Sequence, residues 1–219
     1  MELLKTVYRY LFGKYSLSTL ISRSMIGCRT VLDVGCGRRS SLSGIKKCGL
    51  RVGVDHYMPY IKEQAGSVHD FYVQGDVRRL PFKDKSFDCA VATEIIEHLI
   101  KEDALKMLAE MERVSNKIIL TTPNGFLPTY PGPLDNPEEA HLSGWSVMEL
   151  KELGFQVYGI SGLKALWTIK DGQSVMRVIP KKVPLFSTIV ADMTEPFVYK
   201  HPHRAFRLFF VKDGDNGRT

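Results

Sequence analysis

Short apolar runs that each close on an acid or a glycine recur through the first half of the chain. The first is Val31-Leu32-Asp33-Val34-Gly35-Cys36-Gly37, which predicts a buried strand ending in a tight turn that a ligand's polar atoms can approach. Ser40-Ser41 follows as a cap for a helix from about Leu42 to Cys48. Leu50 to Asp55, Phe71 to Asp76 and Ser86 to Ala92 read as three further strands. Ala104, Leu105, Leu108 and Met111 make one face of a helix over Lys101 to Arg113, and Lys117 to Thr122 makes a fifth strand that Pro123-Asn124-Gly125 stops. Ser146 caps a helix ending near Leu153-Gly154, Phe155 to Ile160 is a strand, and Ala205 to Val211 is the last, antiparallel at the far side of the sheet. Strands alternating with helices predict an α/β domain whose ligand lies at the carboxyl ends of the strands.

The segments outside this alternation are the candidates for an acceptor site. Leu3, Leu4, Val7, Tyr8, Leu11 and Phe12, then Leu17, Leu20, Ile21 and Met25, predict two amphipathic helices within residues 1–27, suited to pack on the domain, cover a cleft or touch a membrane surface. The remainder, 28–219, reads as one domain with an insertion at about 161–203. Four prolines between Phe126 and Glu139 predict a long loop at the ligand end of the sheet. Inside the insertion, Pro184 to Tyr199 is a mostly apolar patch flanked by lysines, and the tail from Asp213 is expected to fray.

Composition narrows the class. The 219 residues are 44% hydrophobic and 25% charged, as in an ordinary globular protein, and a net charge of +6 favours anionic partners without naming one. Four cysteines with no C-x-x-C pair point to reduced, buried thiols and a cytoplasmic protein. Glu2, Lys5 and Arg9 interrupt the apolar N-terminus, so neither a signal peptide nor a spanning helix is expected.

Asp55 stands 20 residues after Gly35, the spacing at which a second-strand acid reaches ribose hydroxyls. Together with Gly75-Asp76, Leu80-Pro81-Phe82, Ser86-Phe87-Asp88 and Glu94-Ile95-Ile96-Glu97-His98-Leu99, the glycine turn resembles the class I S-adenosylmethionine-dependent methyltransferases, in the broad group that includes ubiquinone and menaquinone biosynthesis enzymes. The resemblance implies a Rossmann-like, seven-stranded, mostly parallel sheet with helices on both faces and an antiparallel last strand. It implies S-adenosylmethionine as cofactor. Asp33, Gly35 and Gly37 would hold its methionine portion, Asp55 the ribose, and Asp76 with Val77 the adenine. Glu94 would face the methyl group and the acceptor. Where many relatives have a third glycine this chain has Arg39, whose guanidinium could meet the cofactor carboxylate or face solvent.

Methyl transfer from a sulfonium expels a neutral thioether, so the protein's work is alignment, plus a base when the acceptor is a hydroxyl. His141 and Glu94 are the candidate catalytic residues. His98 stands four residues after Glu94, on one face if the turn is helical, and reads as structural. No metal ligands are assigned, and the expected acceptor is a small organic or lipid-like molecule. A sharper alternative comes from Glu94, Glu97, His98 and His141, which resemble the metal-binding pattern of small-RNA 3′-terminal 2′-O-methyltransferases. With no basic-aromatic interleaving, nucleic acid is not the expected partner. An NAD-dependent dehydrogenase would need a glycine where Ser40 stands, and a non-catalytic adenosine-binding protein is the remaining alternative. The sequence leaves oligomeric state open.

Overall fold

The computed structural model describes residues 13–46, 49–64, 68–128, 139–170, 173–176 and 184–214. Its strands are β1 (Thr30–Val34), β2 (Leu50–Asp55), β3 (Phe71–Gln74), β4 (Cys89–Thr93), β5 (Lys117–Pro123), β6 (Gln156–Leu163), β7 (Trp167–Lys170), β8 (Gln173–Met176) and β9 (Ala205–Asp213). The helices are α1 (Leu17–Ser24), α2 (Met58–Gln64), α3 (Lys101–Val114), α4 (Val147–Glu152) and α5 (Pro184–Lys200). Seven strands form one sheet in the order β3-β2-β1-β4-β5-β9-β6, and β7 with β8 forms a separate hairpin. The strands from β3 through β5 are parallel, while β9 runs antiparallel to both β5 and β6.

The apolar runs are continuous because both faces of the sheet are covered. Leu32, Val34, Ile118 and Leu120 bury against α3 through Ala104, Met107, Leu108 and Met111. On the other face Val31, Val91, Ile119 and Phe209 meet Leu20 and Ile21 of α1. Local signals set the helix ends: the Ser16 hydroxyl accepts from Thr19 N, and Ser146 and Glu149 exchange side-chain and backbone bonds in a capping box. The carboxylate of Asp88 accepts from the backbone amides of Arg29 and Thr30, tying the entry of β4 to the start of β1. Burying five parallel strands in this way leaves Gly35, Asp55, Gly75, Glu94 and Asn124 at one edge, where β1 to β5 end.

Several expectations change. The helix predicted over Leu42 to Cys48 is a series of turns over its described part: Gly44 has a φ of 80°, which breaks a right-handed helix. The buried Arg51 guanidinium satisfies its carbonyls instead, donating to Leu42 O, Ile45 O and Lys46 O at 2.9–3.0 Å. The last strand does not lie at the far side of the sheet but between β5 and β6. The fourth strand starts at Cys89, with Phe87 reaching Ser115 by a lone bridge. Pro184 to Tyr199 is a helix, α5, which buries Ala191, Glu195 and Val198. Among the described residues no helix is long and apolar enough to cross a membrane. The first amphipathic segment and residues 129–138 of the proline-rich loop lie outside the described residues.

Candidate functional site

At the end of β1 the chain reverses through Gly35 and Gly37, with φ of 64° and 55°, a region that glycine enters without strain. The amides of Gly35 and Cys36 donate to Val54 O, which pins the turn to β2. A Cβ on Gly35 would meet Ile95 Cδ1 at 2.5 Å, so the turn packs directly on the segment after β4. Asp55 is buried, and its two oxygens accept from Gly37 N and Tyr57 N, both at 2.8 Å. Each oxygen keeps a second lone pair, so the carboxylate is held ready for hydroxyl donors.

Asp33 lies at the end of β1. Its Oδ2 sits under the turn, accepting from the Ser40 hydroxyl at 2.5 Å and meeting His69 Nε2 at 2.8 Å, with both side chains almost wholly buried. Asp33 therefore anchors the turn from beneath. Asp76 lies after β3 in a bidentate pair with Arg78, which also reaches Asp103, and the Arg78 hydrogen bonds hold the Asp76 carboxyl below its usual range. Val77 packs partly buried against the core beside it. Arg39 is exposed, and its neighbour Arg38 pairs with Glu63 and covers the Tyr60 ring.

Beyond β4 the chain does not continue as a helix through Glu94. Glu94 has a φ of 55°, and only Ile96–His98 form a 3-10 turn, so Glu94 and His98 do not share a helical face. The Thr121 hydroxyl donates to Glu94 Oε1, and Arg207 Nε of β9 lies 3.3 Å from Oε2. Glu97 is buried. Its Oε2 accepts from the Thr122 hydroxyl at 3.0 Å, and among the described residues Oε1 has no hydrogen-bond partner. Desolvation, with the nearby Glu94 charge adding to it, pushes the Glu97 carboxyl well above the ordinary carboxylate range.

The backbone carbonyl of Glu97 also accepts from Leu142 N and Ser143 N, which brings the segment after the proline-rich loop onto the 3-10 turn. That contact places the His98 and His141 rings edge to face, centroids 4.8 Å apart. Nδ1 of His141 lies 2.7 Å from Leu127 O and Nδ1 of His98 lies 3.3 Å from Ala140 O. Carbonyl oxygens only accept, so the neutral His141 ring carries its proton on Nδ1 and the lone pair on Nε2, while His98 meets the carbonyls of Ala140 and Glu139. Burial is the main cause that lowers both imidazole pKa values below 6.5, which keeps the rings neutral at pH 7. One ligand atom each from Glu97, His98 and His141 lies within 4.8 Å of the others. Glu94 stays outside this cluster but within electrostatic reach of His141.

The structure thus joins Gly35, Gly37 and Asp55 in one cradle and Glu94 with His141 in a second region at the same sheet edge. Sequence reasoning missed His69 and Arg207. Nothing near His69 marks it, whereas Arg207 is the one charge in the otherwise apolar run from Ala205 to Val211, a signal that was available.

Residues 32–117 match a family model described as a methyltransferase domain. A putative methyltransferase of Encephalitozoon cuniculi (strain GB-M1) is 27% identical over 145 residues, which cover 63% of this chain and 67% of that protein. Among solved structures, a SAM-dependent methyltransferase from Archaeoglobus fulgidus superposes with a TM-score of 0.50 at 19% identity, over 95% of this chain and 99% of the other. The methyltransferase domain of bacterial CtHen1 superposes with a TM-score of 0.55 at 15% identity, over 92% of this chain and 99% of the other.

Proposed function

We propose that this chain, a class I S-adenosylmethionine-dependent methyltransferase, methylates a hydroxyl oxygen of a small organic or lipid-like acceptor. The observation that carries this reading is the His141 imidazole, edge to face with His98 beyond the carboxyl end of β4, with Nδ1 bonded to Leu127 O and the lone pair on Nε2. His141 is the base and takes the hydroxyl proton at Nε2, while its Nδ1–H stays fixed on Leu127 O. Glu94 stabilises the imidazolium that forms. Phe126, Leu142 and Met148 are exposed near this segment and offer apolar surface to an acceptor.

The residues present fit the cofactor. A Cβ on Gly37 would have nothing nearer than Gly35 O at 3.8 Å, so the side of the turn is open to a ligand. Asp55 takes the ribose hydroxyls, Asp76 and Val77 take the adenine, and Gly35 and Gly37 take the methionine portion through backbone. Asp33 supports them from below through Ser40 and His69. When bound, the cofactor supplies an electrophilic methyl carbon whose leaving group is neutral, so the chain needs a base and no acid.

A second reading rests on the cluster of Glu97, His98 and His141, in which the buried Glu97 Oε1 has no hydrogen-bond partner among the described residues. Glu97, His98 and His141 fit a divalent cation, and their backbone-bound Nδ1 atoms are of the kind that orient metal-ligating histidines. A cation there would lower the pKa of an acceptor hydroxyl. Screening hydroxyl compounds for thioether release, with and without chelator, tests both readings. Product that survives the chelator supports His141 alone, product lost with the chelator supports the cation, and absence of cofactor binding overturns both.

A further inference from the structure

One strand beyond the acceptor region, on the face of the sheet that carries α1 and α5, lies a separate cavity of about 300 Å³. Its position follows from register: Ile160 of β6 pairs with Arg207, whose guanidinium approaches Glu94, and Ile160 lines the cavity with Tyr15, Trp167, Ala191 and Glu195. We propose that this cavity binds an organic ammonium group, with the Glu195 carboxylate as its anchor.

Glu195 is 7% exposed, and among the described residues few acids are buried so far. Its Oε1 accepts from Gly162 N at 3.2 Å, the Ser161 backbone also favours its charged form, and among the described residues its buried Oε2 has no hydrogen-bond partner. Leaving a carboxylate oxygen in that state costs free energy unless a donor arrives. The backbone around it is shaped for the role. Ser161 and Gly162 both have positive φ, 65° and 71°, at a register shift in β6 that turns the Gly162 amide toward the carboxylate. Ser161 is strained there, and such strain concentrates at binding sites. A Cβ on Gly162 would meet Ala191 Cα at 2.9 Å, so β6 and α5 pack closely beside Glu195.

The rest of the lining suits a cation. Trp167 is stacked on Phe206 with centroids 4.6 Å apart and spends its indole N–H on Ser161 O, so it presents aromatic surface rather than a competing donor. Asp192, one turn before Glu195 on α5, also lines the cavity. Burial raises the carboxyl of Asp192 and brings that of Glu195 up to about 7. In a chain of net charge +6, an acid-lined aromatic cavity selects against the anions that the surface attracts.

The test titrates the whole chain with n-butylammonium chloride, tetramethylammonium chloride and sodium butyrate, following binding by calorimetry and the Trp167 indole and Gly162 amide by NMR. The expected result is saturable binding of n-butylammonium with movement of both resonances, weaker binding of tetramethylammonium, which has no N–H to give Oε2, and none of butyrate. Glu195→Gln keeps an oxygen for Gly162 N and should weaken ammonium binding at least tenfold with S-adenosylmethionine affinity unchanged. Ammonium ions that fail to move either resonance in the unaltered chain, or that bind Glu195→Gln equally well, overturn the assignment. An ethanolammonium arm with S-adenosylmethionine separates two sources of the group: thioether product places the ammonium on the acceptor, and binding without product places it on a separate ligand.

Discussion

Asp33 Oδ2 and His69 Nε2 meet at 2.8 Å beneath the Gly35–Gly37 turn, and His69 Nδ1 is buried there without a hydrogen-bond partner. Removing one partner of a buried pair strands the other. His69→Ala should therefore lower stability in urea unfolding by about 3 kcal/mol and weaken cofactor binding in calorimetry, because Asp33 then holds the turn through Ser40 alone. Unchanged stability would show that Ser40 suffices.

Asp55 makes the clearest cofactor prediction. Its carboxylate is buried and oriented by two backbone amides, so Asp55→Ala removes charge-assisted acceptors already fixed in place. Affinity for S-adenosylmethionine should fall by about 2 to 3 kcal/mol. Calorimetric titration reads this directly, and an unchanged constant would place the ribose elsewhere.

The strands and their terminal acids were legible because the sheet is covered on both faces, so Val31 to Val34 and Ile118 to Leu120 read as continuous apolar runs. The segment after Gly37 was not, since its turns depend on Arg51 from β2, a contact between residues that no local pattern links. For the same reason the position of β9 between β5 and β6 could not be read from Ala205 to Val211 alone. In the site, Glu94 and His98 have helical spacing, yet Glu94 adopts a left-handed conformation that aims its carboxylate at Thr121. His141 was visible as a candidate, but its tautomer depends on Leu127 O and needed the structure.

For His141, burial lowers the pKa below the ordinary 6.5, and a base acts only in its neutral form. The rate should rise with pH through a midpoint below 6.5 and level off by pH 7. His141→Gln should cut turnover by about 10² to 10⁴ with cofactor affinity unchanged. A midpoint above 6.5, or full turnover in the variant, would return His141 to a structural role.

Glu97 carries a pH-dependent cost. Its carboxyl is raised in the folded chain, so the folded state binds the proton more tightly than the unfolded state does. The contribution to stability is full below the ordinary 4.5 and is lost as pH rises toward the raised folded value. Glu97→Gln keeps a side-chain oxygen for Thr122, and it should be the more stable protein at pH 7 in chelator. If the cation reading holds, manganese at 100 times its dissociation constant should stabilise the unaltered chain by about 2.7 kcal/mol and leave Glu97→Gln where it was. Equal responses of the two proteins would dismiss a cation ligated by Glu97.

The central claim is that the methyl group goes to oxygen at the Glu94 and His141 edge of the sheet. The direct measurement is an NMR spectrum of the product formed from S-adenosylmethionine labelled with carbon-13 in its methyl group. An O-methyl resonance that disappears with His141→Gln is expected; a methyl resonance on nitrogen, sulfur or carbon, or an O-methyl resonance undiminished in that variant, would overturn methyl transfer to oxygen through His141.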